Sequence, residues 1–126
     1  MSRCRPCVPL ALLVLLVGGC APLAARGGPI DARRLNDGVF TGSAGHIDKA
    51  TVSLTVQDHR VTSVTLESFF ASPVGQKARD VIPQRIVERQ STKVDVVSGA
   101  TEASHVIMNA ADEAVKKSYA ASEMTR

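Results

Sequence analysis

Apolar residues occupy every second place over Thr51-Val52-Ser53-Leu54-Thr55-Val56. Period two marks a strand with one buried face. Asp58-His59 punctuates the pattern, and both residue types tolerate the positive φ that a two-residue hairpin turn demands. The pattern resumes over Val61 to Phe69, with Val64 and Leu66 on one side, which predicts a β-hairpin. Upstream, Gly38 to Thr41 reads as a short strand and Gly42 to Gly45 as a small-residue turn.

After Pro73 the spacing lengthens to that of a helix. Pro83 disfavours helix at Ile82, so the pattern predicts a turn over Gln76–Val81 and then a helix with Pro83 in its first turn. Ile82, Ile86 and Gln90 share a face of that helix. Val94 to Val97 is a further short strand candidate. A last helix is expected from about Thr101 to Ser118. Ala103, Ile107, Ala110 and Ala114 form its apolar stripe, Lys116 and Lys117 lie in its final turn, and a frayed tail follows Tyr119. A hairpin followed by helices, without regular βαβ alternation, predicts an α+β fold with a small antiparallel sheet.

The first twenty of the 126 residues belong to a different pattern. Arg3 and Arg5 precede an apolar run from Val8 to Val17, and Val17-Gly18-Gly19-Cys20 closes it with small residues before a cysteine. This order reads as a secretory signal, and the run is too short to span a bilayer as a helix. The last four residues resemble a bacterial lipobox, in which Cys20 takes lipid and becomes the first mature residue. The division expected is a signal peptide at 1–19, lipidated Cys20 with a flexible tether to 35, a domain over 36–118 and a tail over 119–126. The mature protein would then sit outside the cytoplasm, anchored to the cell membrane on its periplasmic side or at the cell surface.

Charge and cysteine content sharpen this picture. Cys4 and Cys7 have CxxC spacing but lie in the segment to be removed. With Cys20 lipidated, the mature domain has no thiol for a disulfide or a metal. Loss of Arg3 and Arg5 leaves 13 basic and 12 acidic residues. There is no basic stripe and almost no aromatic residue to stack on bases, so nucleic acid is not an expected partner. His46, His59 and His105 are scattered without metal-ligand spacing. No Ser-His-Asp or paired-carboxylate spacing argues for hydrolysis.

One segment carries candidate chemistry: Asp95-Val96-Val97-Ser98-Gly99-Ala100-Thr101, running directly into the last helix. A glycine-containing turn at a helix start presents unpaired N–H groups and the positive end of the helix dipole. That is a seat for a phosphate, with the Thr101 hydroxyl beside it. The same turn also reads as an ordinary capped helix start, with Ser98 as the N-cap. Asp95 reads either as a bond to the turn or as a surface loop residue. Ser104, one turn into the helix, reads either as a phosphate contact or as an inert surface serine. Phe40, Phe69 and Phe70 are the rings available for stacking and are also core candidates.

The chain resembles the FMN-binding domain family, found in covalent-flavin subunits of sodium-translocating quinone reductases and Rnf-type complexes and in small extracytoplasmic flavoproteins. Four ordered stretches within residues 37–115 carry the resemblance: Asp37 to Ala44, Thr51 to Leu66, Ile82-Pro83 through Gln90-Ser91, and Val94 to Thr101 followed by Ser104. The family's flavinylation pattern is Asp, two residues, Ser or Thr, Gly, Ala, then Thr or Ser, and this chain matches it in full. The resemblance implies that a flavin transferase moves FMN from FAD onto Thr101 as a phosphoester. It implies cofactor-site roles for Asp95, Ser98, Gly99, Ala100 and Ser104. The chain departs from the family in having Ala103 where Thr is frequent, His59 where Gly is frequent, and Ser68-Phe69-Phe70-Ala71-Ser72-Pro73 in place of a Glu-Thr-Pro-Gly segment. Those departures fit a small stand-alone electron carrier, a substrate of the transferase rather than an enzyme with its own turnover, serving an electron donor and acceptor. Two other readings remain at this stage: a domain binding FMN non-covalently as sensor or reductase, and a flavin-free structural lipoprotein.

Overall fold

The computed structural model describes residues 27–124. The signal segment, Cys4, Cys7, lipidation at Cys20 and the last two residues of the tail lie outside the described residues. The domain is α+β: three antiparallel strands in the order β1 (Gly38–Gly45), β2 (Lys49–Gln57) and β3 (Arg60–Phe70), followed by helices α1 (Ala78–Arg89) and α2 (Thr101–Met124). Helix α2 packs on β1 and β2, and α1 packs on β3. Among the described residues, no helix is long and apolar enough to cross a membrane.

Strand β2 is central, and its Ala50, Val52, Leu54 and Val56 are all buried, as the alternation predicts. The β2–β3 turn falls at Asp58-His59, with φ of +53° and +59°, the doubly positive pair of a tight hairpin. The Asp37 side chain closes this turn. It accepts from the His59 backbone N–H at 3.0 Å, and that bond holds its carboxyl below the ordinary range.

Strand β1 is longer than expected. Gly42 to Gly45 continue its pairing with β2, and the turn comes after them at residues 46–48. Gly42 is buried beneath α2, so its missing side chain serves a close approach of strand and helix, not a bend. Strand β3 carries two irregularities, where Thr62 and Glu67 are extra residues against β2. Each resets the alternation, so Val61, Val64, Leu66 and Phe69 face inward at uneven spacing.

Helix α1 also differs from expectation. A 3-10 turn at Gly75–Lys77 precedes it, so the turn expected over Gln76–Val81 ends at Lys77, and the helix begins at Ala78 and runs through Pro83. An interior proline costs a helix about 3 kcal/mol. Here Ala78, Ile82, Pro83 and Ile86 are all buried. The carbonyl that Pro83 leaves without a helical donor belongs to Arg79, which is exposed to water. Burial of the shared face outweighs the lost bond.

The last residue of that face, Gln90, ends α1 in the left-handed region at φ +48°. Its Oε1 accepts from Val61 N–H at 3.0 Å, and its Nε2 donates to the carbonyls of Val61 and Val87 at 2.8 and 2.6 Å. One amide therefore stands in for a neighbouring strand at fully buried Val61. Gln90→Ala should cost about 1–3 kcal/mol, the penalty for stranding buried backbone groups, read as a lower urea midpoint with an unchanged slope.

Two segments expected to be loose are packed. Residues 28–36, assigned by sequence to the end of the tether and the domain's first position, form a strap along the domain. Ile30 N–H donates to the Gln90 carbonyl at 2.9 Å, and Asn36 N–H donates to Ser118 Oγ at 2.9 Å. Leu35 is buried beside Leu54 and Val115. Helix α2 runs on to Met124 instead of fraying after Tyr119, because the strap holds it. Asp31 N–H donates to the Tyr119 hydroxyl at 2.8 Å, and the Arg34 guanidinium lies 4.5 Å from that ring. Lys116 and Lys117 are consequently mid-helix. Lys117 bonds the Thr41 carbonyl, and Lys116 pairs with Asp112.

Candidate functional site

The segment 94–100 is irregular, not a strand: it joins no ladder. Two side chains hold it instead. Arg85, from α1, donates to the backbone carbonyls of Asp95 at 2.6 Å and Val96 at 3.3 Å. This leaves the Asp95 side chain at the surface, while its main chain is fixed. From the other side, Val97 N–H donates to Ser104 Oγ at 3.1 Å.

The chain then turns at Ser98-Gly99, closed by Ala100 N–H donating to the Val97 carbonyl at 2.9 Å. Gly99 has φ +80°, the value of the third residue of a type II turn, which disfavours any side chain there. Helix α2 starts at Thr101 immediately afterwards, and its first helical bond runs from Ser104 N–H to the Ala100 carbonyl. The amides of Thr101, Glu102 and Ala103 precede that bond and have no carbonyl within the helix to meet. Thr101 is exposed, so its hydroxyl stands at the open positive end of a 24-residue helix.

The structure changes the roles of two serines read from the sequence. Ser98 occupies a corner of the turn, exposed and too early to cap a helix that starts at Thr101. Ser104 is not a surface residue: it is fully buried, and its hydroxyl donates to the Ala100 carbonyl at 2.6 Å while accepting from Val97. Its hydroxyl braces the turn from inside. Ala100 is buried beneath the turn, and Gly99, Ser98 and Thr101 form its outer surface.

A cleft of about 530 Å³ opens along α2 from Glu102, the residue after Thr101, and is within the size range of small-molecule sites. Glu102, Val106 and Asn109 from α2 form one wall, and His46, Ile47 and Asp48 from the β1–β2 turn form the other. Ile47 is 79% exposed, an apolar side chain with nothing covering it. Val74 lies 3.6 Å from where a Cβ on Gly99 would stand, and Phe70 at the end of β3 is 68% exposed. Phe40 and Phe69 are half-buried against the core. Of the three rings, Phe70 is the one the structure leaves most open. His59 serves the hairpin: its Nδ1 lies 2.8 Å from the Leu35 carbonyl.

Sequence reasoning missed Arg85, Ile47 and Val74. Arg85 looks like any surface residue of an amphipathic helix, and Ile47 sits in a segment without period. Only the fold brings Arg85 to the 95–96 carbonyls, Val74 to Gly99 and Ile47 to the cleft lined by Glu102.

The FMN-binding domain family model matches residues 45–116, and the chain belongs to that family. Over 95 residues the chain is 28% identical to the NADH:acrylate oxidoreductase of Vibrio harveyi, covering 74% of this chain and 10% of that protein. It is 34% identical over 85 residues to an uncharacterized protein of Treponema pallidum (strain Nichols), covering 66% of this chain and 24% of that protein. The chain thus spans a tenth and about a quarter of these two relatives. No solved structure matches. The protein is an FMN-binding flavoprotein domain, and the site fits the group: an exposed hydroxyl and open amides for a phosphate, with an adjoining cleft.

Proposed function

We propose that this protein is a membrane-anchored, extracytoplasmic electron carrier that holds FMN covalently on Thr101. The observation that carries the reading is the exposed Thr101 hydroxyl at the first position of α2, preceded by a turn braced from both sides. When bound, FMN supplies one- and two-electron chemistry, and the protein supplies attachment and environment.

Attachment needs a second protein, a flavin transferase. In that reaction Thr101 Oγ gives up its proton and bonds to the FMN-side phosphorus of FAD. The pyrophosphate linkage breaks and AMP leaves. The open amides at the start of α2 suit the phosphodiester that results, and the helix dipole favours its charge. Gly99, Arg85 and Ser104 hold the Thr101 backbone in place before the transferase arrives, which lowers the ordering cost of presenting the hydroxyl. Glu102 lines the adjoining cleft, so a ring carried on Thr101 would meet it together with His46 and Ile47.

Covalent attachment suits a site outside the cell, where a dissociated cofactor is lost by diffusion. Cys20, with its preceding small residues, supplies the anchor in this reading, and the electron donor and acceptor act at or near the membrane. The test is intact-protein mass after co-expression with a flavin transferase in the exported compartment. A gain of one FMN less one water, retained after denaturation, is the expected result. FMN released on denaturation would replace the carrier with a non-covalent sensor or reductase domain. A colourless, unmodified chain would leave a structural lipoprotein.

A further inference from the structure

The described chain begins where the strap is pinned. Thr92, itself buried, ties down Gly28 twice: its N–H donates to the Gly28 carbonyl at 3.0 Å, and its Oγ1 accepts from Gly28 N–H at 3.1 Å. The same hydroxyl lies 3.2 Å from Asp112 on α2. Gly27 sits so close to Thr92 and Asp112 that a Cβ there would fall 2.8 Å from Thr92 Cβ and 3.0 Å from Asp112 Oδ1. Pro29 bridges Ser91 in antiparallel fashion. Gly27 and Gly28 are therefore held at one defined place, between the 91–92 segment and the middle of α2.

A cleft of about 660 Å³ adjoins that place, lined by Arg85, Glu88, Arg89, Ser91, Lys93, Val94 and Asp95. Arg89 and Lys93 are exposed, whereas Arg85 is committed to the 95–96 carbonyls. Arg85 keeps its charge while bonded to carbonyls, so three basic groups face two acidic ones, Glu88 and Asp95, a net of one positive charge. Six residues, 21–26, separate Cys20 from Gly27, and the last of them is Arg26. At no more than about 3.6 Å per residue, the span from Cys20 to Gly27 reaches roughly 25 Å.

We propose that the face formed by Ser91, Lys93 and Arg89 lies against an anionic lipid surface and sets the orientation of the domain on its membrane. The inference rests on the reading of Cys20 as the lipid anchor. A tether this short, entering at a pinned point, keeps that face near the bilayer. Arg89 and Lys93 then meet lipid phosphates, to which a guanidinium offers paired N–H donors. Along α2, Thr101 lies eleven residues before Asp112, the helix residue beside Gly27, which is about 16 Å at the helical rise. The site is thus held near the membrane and beside it, where a membrane-bound redox partner can approach.

The experiment uses the chain from Cys20 onward, its thiol coupled to a maleimide lipid in vesicles, so the result depends neither on cellular lipidation nor on flavin. Acylation of each lysine by a water-soluble reagent is followed by mass spectrometry. Lys93 and Lys77 flank α1 and are both exposed, so Lys77 reports the opposite end of the same helix. On vesicles rich in phosphatidylglycerol, Lys93 should react about fivefold more slowly than in the free chain, the effect of roughly one basic group at an anionic surface, and Lys77 should be nearly unchanged. Arg89→Glu should remove the protection. Equal rates at Lys93 and Lys77 would overturn the proposal, as would the same protection on purely neutral vesicles, or protection only on adding an acidic protein partner. Failure of Cys20 lipidation shows itself separately, as an unacylated Cys20 peptide from cells.

Discussion

Thr101→Ala is expected to abolish covalent flavin completely, while Thr101→Ser retains it. The reason is local. Of the hydroxyls around the turn, Ser104 is buried and doubly bonded, and Ser98 lies three residues before the helix start at a different corner. Among the described residues, Thr101 is the exposed hydroxyl in the first turn of α2. The substitution is structurally mild, since Thr101 is exposed at the first helical position and exposed substitutions of this kind usually change stability by no more than about 0.5 kcal/mol. Loss of the FMN mass with an unchanged thermal transition would therefore report the chemistry and not the fold. An alanine variant that still gains one FMN less water would remove Thr101 from the reading.

Gly42→Ala should be strongly destabilising. A Cβ at this position would overlap the carbonyl oxygen of Ala110 and lie 2.6 Å from the amide nitrogen of Ala114 and 3.1 Å from Glu113 Cβ. The first two are main-chain atoms of α2, which cannot rotate away as a side chain can. Strand and helix must separate, and Ala103, Ile107 and Ala110 lose their packing. The expected cost is about 3 kcal/mol, the upper part of the overpacking range. That is a large share of the stability of a small domain. Urea denaturation measures it, with Ser43→Ala as control, since the neighbouring Ser43 is exposed and should shift stability by less than about 0.5 kcal/mol. A wild-type midpoint for Gly42→Ala would mean that α2 does not sit this close to β1.

The hairpin was legible because its two determinants are local: alternation over Thr51 to Val56, and a turn pair that accepts positive φ. The stripe of α2 was legible for a similar reason, since period and small size both show in Ala103, Ile107, Ala110 and Ala114. The Ser98–Thr101 turn was legible because its glycine, its hydroxyl and the helix after it are contiguous. Pro83 misled because local propensity opposes a helix that tertiary burial of Ile82 and Ile86 sustains. Val94 to Val97 misled because a strand-like composition found no partner edge and was held by Arg85 and Ser104 instead.

By itself, then, the sequence determined the α+β class, the central hairpin, the final helix and the place of the Thr101 hydroxyl at that helix's start, all of which depend on neighbours within a few residues. The tertiary structure alone decided what meets the segment before α2 and its first turn. It brought Arg85 from α1 to the 95–96 carbonyls, Val74 from the turn after β3 to Gly99 and Ile47 from the β1–β2 turn to the cleft that Glu102 lines. It also turned Ser104 inward, and it docked residues 28–36 against Thr92, Ser118 and Tyr119, which lie 64 to 88 positions away. Contacts at such separations depend on how the layers pack, and neither periodicity nor composition encodes that packing.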